Sequence, residues 1–175
     1  MTLSITLIII LIVAALVAIV VLRSLVSIGP AEVGLVTKKF SLKKLGDDDI
    51  IAFNGEAGFQ ADLLMPGLRF KLWPLFATSK HPWVQVPAGE IGVIISQVGE
   101  PLAVGAKSAV YNEALANFSD VRTFIANGGQ KGVQRPVLPP GSLLPLHPAA
   151  FLVLTPSRVT GMPTEPELLH LRSEE

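Results

Sequence analysis

The stretch PAEVGLV, Pro30 to Val36, recurs as PAGEIGVI, Pro87 to Ile94. In each copy a proline opens a turn, a glutamate closes it, and an apolar strand follows with glycine near its start. Glycine inside a strand weakens it unless another backbone or a bulky side chain comes close at that point. Pro30, Glu32 and Gly34 are thus set against Pro87, Glu90 and Gly92. Two readings stay open from spacing alone. Either these turns begin two membrane-proximal strands of similar role, or a common turn-plus-strand pattern recurs by chance.

Outward from the two phrases, short apolar runs alternate with Gly and Pro, which favours strands and turns over long helices. Val33 to Thr37 is β-branched and apolar and reads as a strand. Asp47-Asp48-Asp49 after Gly46 reads as a turn. Ile50 to Phe53 ends in Asn54-Gly55, a hairpin-type dipeptide. Pro66-Gly67 suits the centre of a type II turn. Beyond it, Leu68, Phe70 and Leu72 alternate with Arg69 and Lys71, which predicts a half-buried strand closed by Trp73-Pro74. Ile91 to Ile95 is a strand candidate that Ser96-Gln97 continues, and Phe151 to Thr155 is another. One helix is expected, capped by Ser119, with Asp120 in its first turn and Val121, Phe124 and Ile125 on one face. Asn127-Gly128-Gly129 stops it. Pro136 to Pro148 is extended or turned. Met162 to Glu175 is expected to be loosely held.

The first residues carry a different signal. Ile5 to Leu22 holds no charge, no Pro and no Gly. As a helix, these residues span roughly 27 Å, close to a hydrocarbon core. Ile5, Leu11, Leu16 and Leu22 mark its length and Arg23 its end. A cleaved signal peptide would want a basic start, a shorter core and a small-residue cleavage site. No Lys or Arg precedes this core, so a retained anchor over residues 1–27 is expected. A buried soluble helix fits poorly because the segment is apolar all round. Lys38, Lys39, Lys43 and Lys44 follow Arg23, and the positive-inside rule then places the rest of the chain in the cytoplasm.

Composition narrows the chemistry. Lys plus Arg and Asp plus Glu are both 14, so the net charge is zero, and there is no cysteine. Nucleic-acid binding, disulfides and thiolate chemistry are not expected. Gly105 to Ala109 (GAKSA) lacks the spacing of a phosphate-binding loop. Gly128 to Gly132 reads as a helix stop and turn. The three aspartates have no further ligand at Ca-loop spacing. His81, His147 and His170 lie far apart, with no H-E-x-x-H, and read as structural. No G-x-S-x-G is present. Asn117-Phe118-Ser119 is a glycosylation sequon better read as helix entry. Phe70, Trp73 and Trp83 read as core, with an interfacial role open to the tryptophans. No catalytic residue, cofactor or metal is expected.

Taken in order, GPAEVGLVTKKF, GEAGFQADLLMPGLRFKLWPLF, HPWVQVPAGEIGVIISQVGEPL and NGGQKGVQRPVLPPG after an apolar anchor resemble the SPFH superfamily (stomatin, prohibitin, flotillin; band 7). The likeness is nearest to bacterial flotillin-like membrane proteins and covers residues 28–161. It implies an α+β chain: a transmembrane helix, then a β-rich head with one or more short helices, then the tail at 162–175. It implies a non-enzymatic scaffold on the lipid bilayer that self-assembles into a homo-oligomer. Such a scaffold organises membrane microdomains or other membrane proteins, including proteases and small membrane partners. The family's long helical region is missing: the chain stops at Glu175 and heptad periodicity is absent from Gly128 onward. A fragment or a short form is therefore expected. The alternative is an anchored binding module that recruits another membrane protein without large self-assembly.

Overall fold

The computed structural model describes residues 2–46, 49–110, 115, 118–155 and 158–160. It is an α+β chain that opens with one long helix, α1 (Thr2–Ser24). The strands follow as β1 (Leu25–Ile28), β2 (Glu32–Lys38), β3 (Ile51–Ala52), β4 (Gly58–Gln60), β5 (Gly67–Phe70), β6 (Phe76–Pro82), β7 (Val84–Gln85), β8 (Val93–Ser96) and β9 (Ala109–Val110). A short helix, α2 (Val121–Ala126), precedes β10 (Gly132–Arg135), β11 (Leu143–Leu144), β12 (Phe151–Thr155) and β13 (Arg158–Thr160). Leu25 to Ser27, placed with the anchor on sequence grounds, belong to β1. The expectations for Asp47, Asp48, Asn117, His170 and Met162 to Glu175 lie outside the described residues.

The repeated phrase is the visible part of a duplicated β unit. One sheet has the order β3-β4-β2-β6 and the other β9-β10-β8-β12, with β13 added outside β12. The registers correspond. Thr37 pairs with Phe59 and Lys38 with Gly58; Ile95 pairs with Val133 and Ser96 with Gly132. In both units the outermost pair is parallel, β3 on β4 and β9 on β10. The Gln60 amide donates to the carbonyls of Glu56 and Gly58, and the Gln134 amide donates to those of Gln130 and Gly132. Each turn closes alike, with Glu32 N–H donating to Gly29 and Glu90 N–H to Pro87.

The two glycines of the phrase explain themselves here. Gly34 exchanges two backbone bonds with Leu64, at 2.8 and 2.9 Å, and Gly92 does the same with Leu138, at 3.0 and 2.7 Å. A Cβ on Gly34 would lie 2.5 Å from Ile28 Cδ1 and 3.0 Å from Leu64 Cβ. On Gly92 it would lie 2.7 Å from Val86 Cγ2 and 3.2 Å from Leu138 Cβ. Close approach of a neighbouring strand therefore selects glycine at both places. The chance reading of the repeat falls.

Three local expectations are corrected. Asn54-Gly55 does not make a hairpin, because β3 and β4 run parallel and the Gln60 amide closes the loop between them. Asp120, not Ser119, is the N-cap of α2: its Oδ1 accepts from the N–H of Arg122 and Thr123, and its negative charge faces the positive end of the helix. Gly67, with φ at +122°, turns the chain after Pro66 as expected, but β5 is exposed at every position instead of half-buried. Its described partner is β1 alone, so no second layer covers either face.

The core lies mainly in the second unit. Phe118, Phe124 and Phe151 meet with ring centroids 5.1 to 5.9 Å apart, two of the three contacts edge-on. Gly129 sits against the Phe124 ring, where a side chain would collide. Ile51 and Ala61 of the first unit join the same cluster, so the two units share one core.

Candidate functional site

Where α1 meets the head, Ser24 is fully buried and acts as a clasp. Its hydroxyl donates to the Val20 carbonyl at 2.6 Å and accepts from Trp73 N–H at 2.9 Å. Its carbonyl accepts from Lys71 N–H at 2.9 Å. The segment after β5 is thereby fastened to the last turn of α1. Lys39 N–H donates to the Leu75 carbonyl, which brings the segment after β2 to the same place.

The side chains gathered there are apolar and uncovered. Leu68 is 69%, Phe70 57% and Phe40 63% exposed. Leu25, Leu42, Leu72, Trp73 and Leu75 are exposed too. Phe70 and Trp73 are therefore not core, contrary to their sequence reading. No strand or helix of the described residues packs over them, and Leu72 to Phe76 form a continuous apolar run. Trp83 is half-buried and donates its indole N–H to the Glu32 carbonyl. A contiguous apolar patch rimmed by polar residues marks an interaction surface.

The rim is basic. Arg23 lies in the last turn of α1, and in the chain Lys39 precedes Phe40, Lys43 follows Leu42, and Arg69 and Lys71 flank Phe70. Lys38 Nζ is held by the Gly55 carbonyl at 2.6 Å, and Lys43 Nζ reaches the Asn54 carbonyl at 3.4 Å. These residues, with Lys39, Phe40 and Leu42, line a cleft of about 710 Å³. Lys71 also lies over the Phe76 ring, 5.6 Å from its centre. Apolar side chains next to lysines, at the end of an apolar helix, have the chemistry of a surface that meets lipid tails and headgroups.

The turn-strand residues sit in two roles. Pro30 and Glu32 form the turn beyond β1, and the Glu32 carboxylate accepts from Gly29 N–H at 3.0 Å. Gly34 bonds Leu64 just ahead of the Pro66-Gly67 turn into β5, the strand that carries part of the exposed apolar patch, a collar at the end of α1. Pro87, Glu90 and Gly92 form the matching turn of the second unit, away from the helix junction. Ile5, Leu11 and Leu16 are exposed along α1, and Leu22 is exposed at its end. This helix, over Ser4–Ser24, is long and apolar enough to cross a membrane.

Two polar links join the units. The Arg122 guanidinium donates to both Asp62 oxygens, at 2.8 and 3.1 Å, and holds the Asp62 carboxyl below its usual range. His147 is buried and its Nε2 donates to the Gln60 carbonyl at 3.0 Å. A carbonyl only accepts, so the proton sits on Nε2 and Nδ1 is left bare, with no hydrogen-bond partner. Burial pushes the His147 pKa down. Among the described residues, no group of three or more His, Cys, Asp or Glu could hold a metal ion. Neither the family models, nor the curated proteins, nor the solved structures compared with the chain give a match.

The collar was hidden by a sound rule. Alternation at Leu68, Phe70 and Leu72 signals one buried face, but here all three are exposed among the described residues. The repeat was legible further than the opening phrase. The pattern G-x-x-G-x-Q-x-x-x-L-x-P-G stands at Gly55 to Gly67 and again at Gly129 to Gly141. It contains both strand-pairing glutamines and both bridging leucines.

Proposed function

We propose that the chain is a single-pass membrane protein of the SPFH type, a scaffold that assembles copies of itself and organises other membrane proteins. The observation that carries the reading is the junction at Ser24. A helix long enough to span the bilayer is fastened to the head through two hydrogen bonds at Ser24, from Trp73 N–H and Lys71 N–H, and the apolar collar surrounds that point. A cleaved leader would take Ser24 and its clasp with it, which favours a retained anchor. The basic rim favours a cytoplasmic head.

On this reading the work is geometric, not catalytic. Anchor and collar fix the head at one height and tilt above the lipid. Confinement to a plane raises effective concentration, so weak contacts between heads add up over many copies. The order of motifs along the chain, from the apolar helix to LPPG, supports the family assignment. Its expected partners are the lipid bilayer, further copies, and membrane proteases or small membrane proteins.

The test is the native mass of the complex extracted from its membrane in mild detergent. A mass many times that of one chain supports the scaffold. One chain with a single heterologous partner overturns it in favour of an anchored binding module.

A further inference from the structure

The duplicated plan exposes a difference at the end of the strand that follows the repeated turn. Lys38 pairs with Gly58 as Ser96 pairs with Gly132, so Lys38, Lys39 and Phe40 correspond to Ser96, Gln97 and Val98. In the second unit all three are buried, and Val98 joins the core cluster. In the first unit Lys38 is half-buried, and Lys39 and Phe40 are exposed. The matching glycine carbonyls change partner too. That of Gly129 accepts from Glu100 N–H at 2.9 Å, whereas that of Gly55 accepts from Lys38 Nζ at 2.6 Å and Ser41 Oγ at 2.9 Å.

These cations have no counter-charge in place. Lys38 and Lys43 reach main-chain carbonyls, and among the described residues no carboxylate forms a salt bridge with Lys38, Lys39 or Lys43. Glu56 feels the Lys43 charge, but its Oε2 accepts from Asn54 N–H at 2.7 Å, and with Asp49 and Lys44 it lines a neighbouring cleft. The cleft of about 710 Å³ is lined by the three lysines and by exposed Phe40 and Leu42, with no acidic side chain. A half-buried ammonium pairs well with an anion, because water and salt screen it less.

We propose that this cleft binds the headgroup of an anionic glycerophospholipid, with its phosphate on Lys38, Lys39 and Lys43 and its chains against Phe40, Leu42 and the collar. The inference rests on the membrane anchoring proposed above and gives it a lipid class. The place in the fold selects the occupant. Lys38 stands opposite Phe76, and Lys39 N–H bonds the Leu75 carbonyl, so the cleft lies beside the collar. Lys71, over the Phe76 ring, adds a further cation there. A soluble organophosphate shares the headgroup chemistry but would leave Phe40 and Leu42 uncovered. Lysines beside a bilayer draw anionic lipids in just this way.

The test uses the full-length protein in phosphatidylcholine liposomes with a minor share of phosphatidylglycerol. Brominated acyl chains quench a tryptophan they touch, and Trp73 stands exposed at the collar. Bromine is carried either by the phosphatidylglycerol or by an equal share of the phosphatidylcholine, at one overall composition. Brominated phosphatidylglycerol should quench about twofold more or better. Lys38→Gln with Lys43→Gln should bring the two to parity with thermal unfolding unchanged, and Lys38→Arg with Lys43→Arg should keep the preference. Lys39→Gln, whose ammonium makes no described bond, should lower it without touching the loop. A preference that survives all the glutamine variants would overturn the site. The charge-matched pair Arg23→Gln with Arg69→Gln should leave the preference standing; an equal loss there would assign it to a diffuse field and overturn the site. Its abolition by millimolar glycerol 3-phosphate would overturn the lipid in favour of a soluble ligand. Strong but equal quenching of the wild type would overturn the site and leave the anchor standing. No quenching by either lipid would overturn both.

Discussion

β5 and β11 hold equivalent places, each paired with the strand before a shared turn. Their surroundings are opposite. β5 carries Leu68 and Phe70 into the open beside the end of α1, and its continuation is clasped by Ser24. β11 follows the proline run, and Leu146, His147 and the Ala149 to Val153 segment just after it are buried. The same backbone plan thus serves as a collar in one unit and as the approach to a core in the other. Position next to the end of α1, not the strand plan, decides which. The aromatic cluster shows the same division, since Phe118, Phe124 and Phe151 all belong to the second unit.

The largest effect should come from Phe124→Ala. Removing a fully buried ring from this cluster should cost about 4 kcal/mol, read from thermal unfolding in mild detergent. Because Ile51 and Ala61 share the core, the loss should appear as one transition. Two separate transitions would mean that the units fold independently.

Gly34→Val and Gly92→Val test the equivalence itself. Each forces a branched side chain against a strand and a side chain already within contact distance, and each should cost about 2 kcal/mol. A neutral change at either position would break the correspondence.

His147 sharpens the comparison at the join between units. Its folded pKa is lowered, so the unfolded chain binds the proton more readily. The stability this neutral histidine contributes is fully present above the unfolded pKa of about 6.5. It is lost as pH falls below that value toward the lowered folded pKa, at up to about 1.4 kcal/mol per pH unit. In His147→Gln this slope should vanish from the pH dependence of the melting temperature. A slope that persists would assign it to another group.

The smallest effect belongs to Asp62→Asn. The pair with Arg122 is bidentate, but its side chains are 67% and 43% exposed. A loss of about 0.5 kcal/mol is expected. Asp62 has a lowered folded pKa, so its contribution is present above the unfolded value near 4 and fades as pH falls through the folded value. A loss several times larger would show that this link holds the units together.

Much of the strand pattern was legible because β-branched runs bounded by Gly and Pro have few alternatives. β2, β12 and the stop of α2 fell where side-chain preference and turn chemistry agree. Legibility failed where a side chain replaced the expected local rule. β3 and β4 run parallel despite Asn54-Gly55, with the Gln60 amide holding the loop between them, and Asp120 takes the place of Ser119 as cap. It failed again at Leu68 and Phe70, whose alternation indicates a buried face without saying what buries it. The clasp at Ser24 joins residues far apart in sequence, and nothing local in the chain announces it.

Leu72 and Leu143 test the account most directly, because they are almost equally exposed, at 42% and 48%, one just after β5 and the other in its counterpart β11. Single-cysteine variants at each, labelled with a fluorophore in liposomes of the full-length protein, report depth through a lipid-attached quencher. The label at position 72 should be quenched strongly and the label at position 143 should stay in water. Equal quenching, or none at position 72, would contradict a first unit that rests on the bilayer.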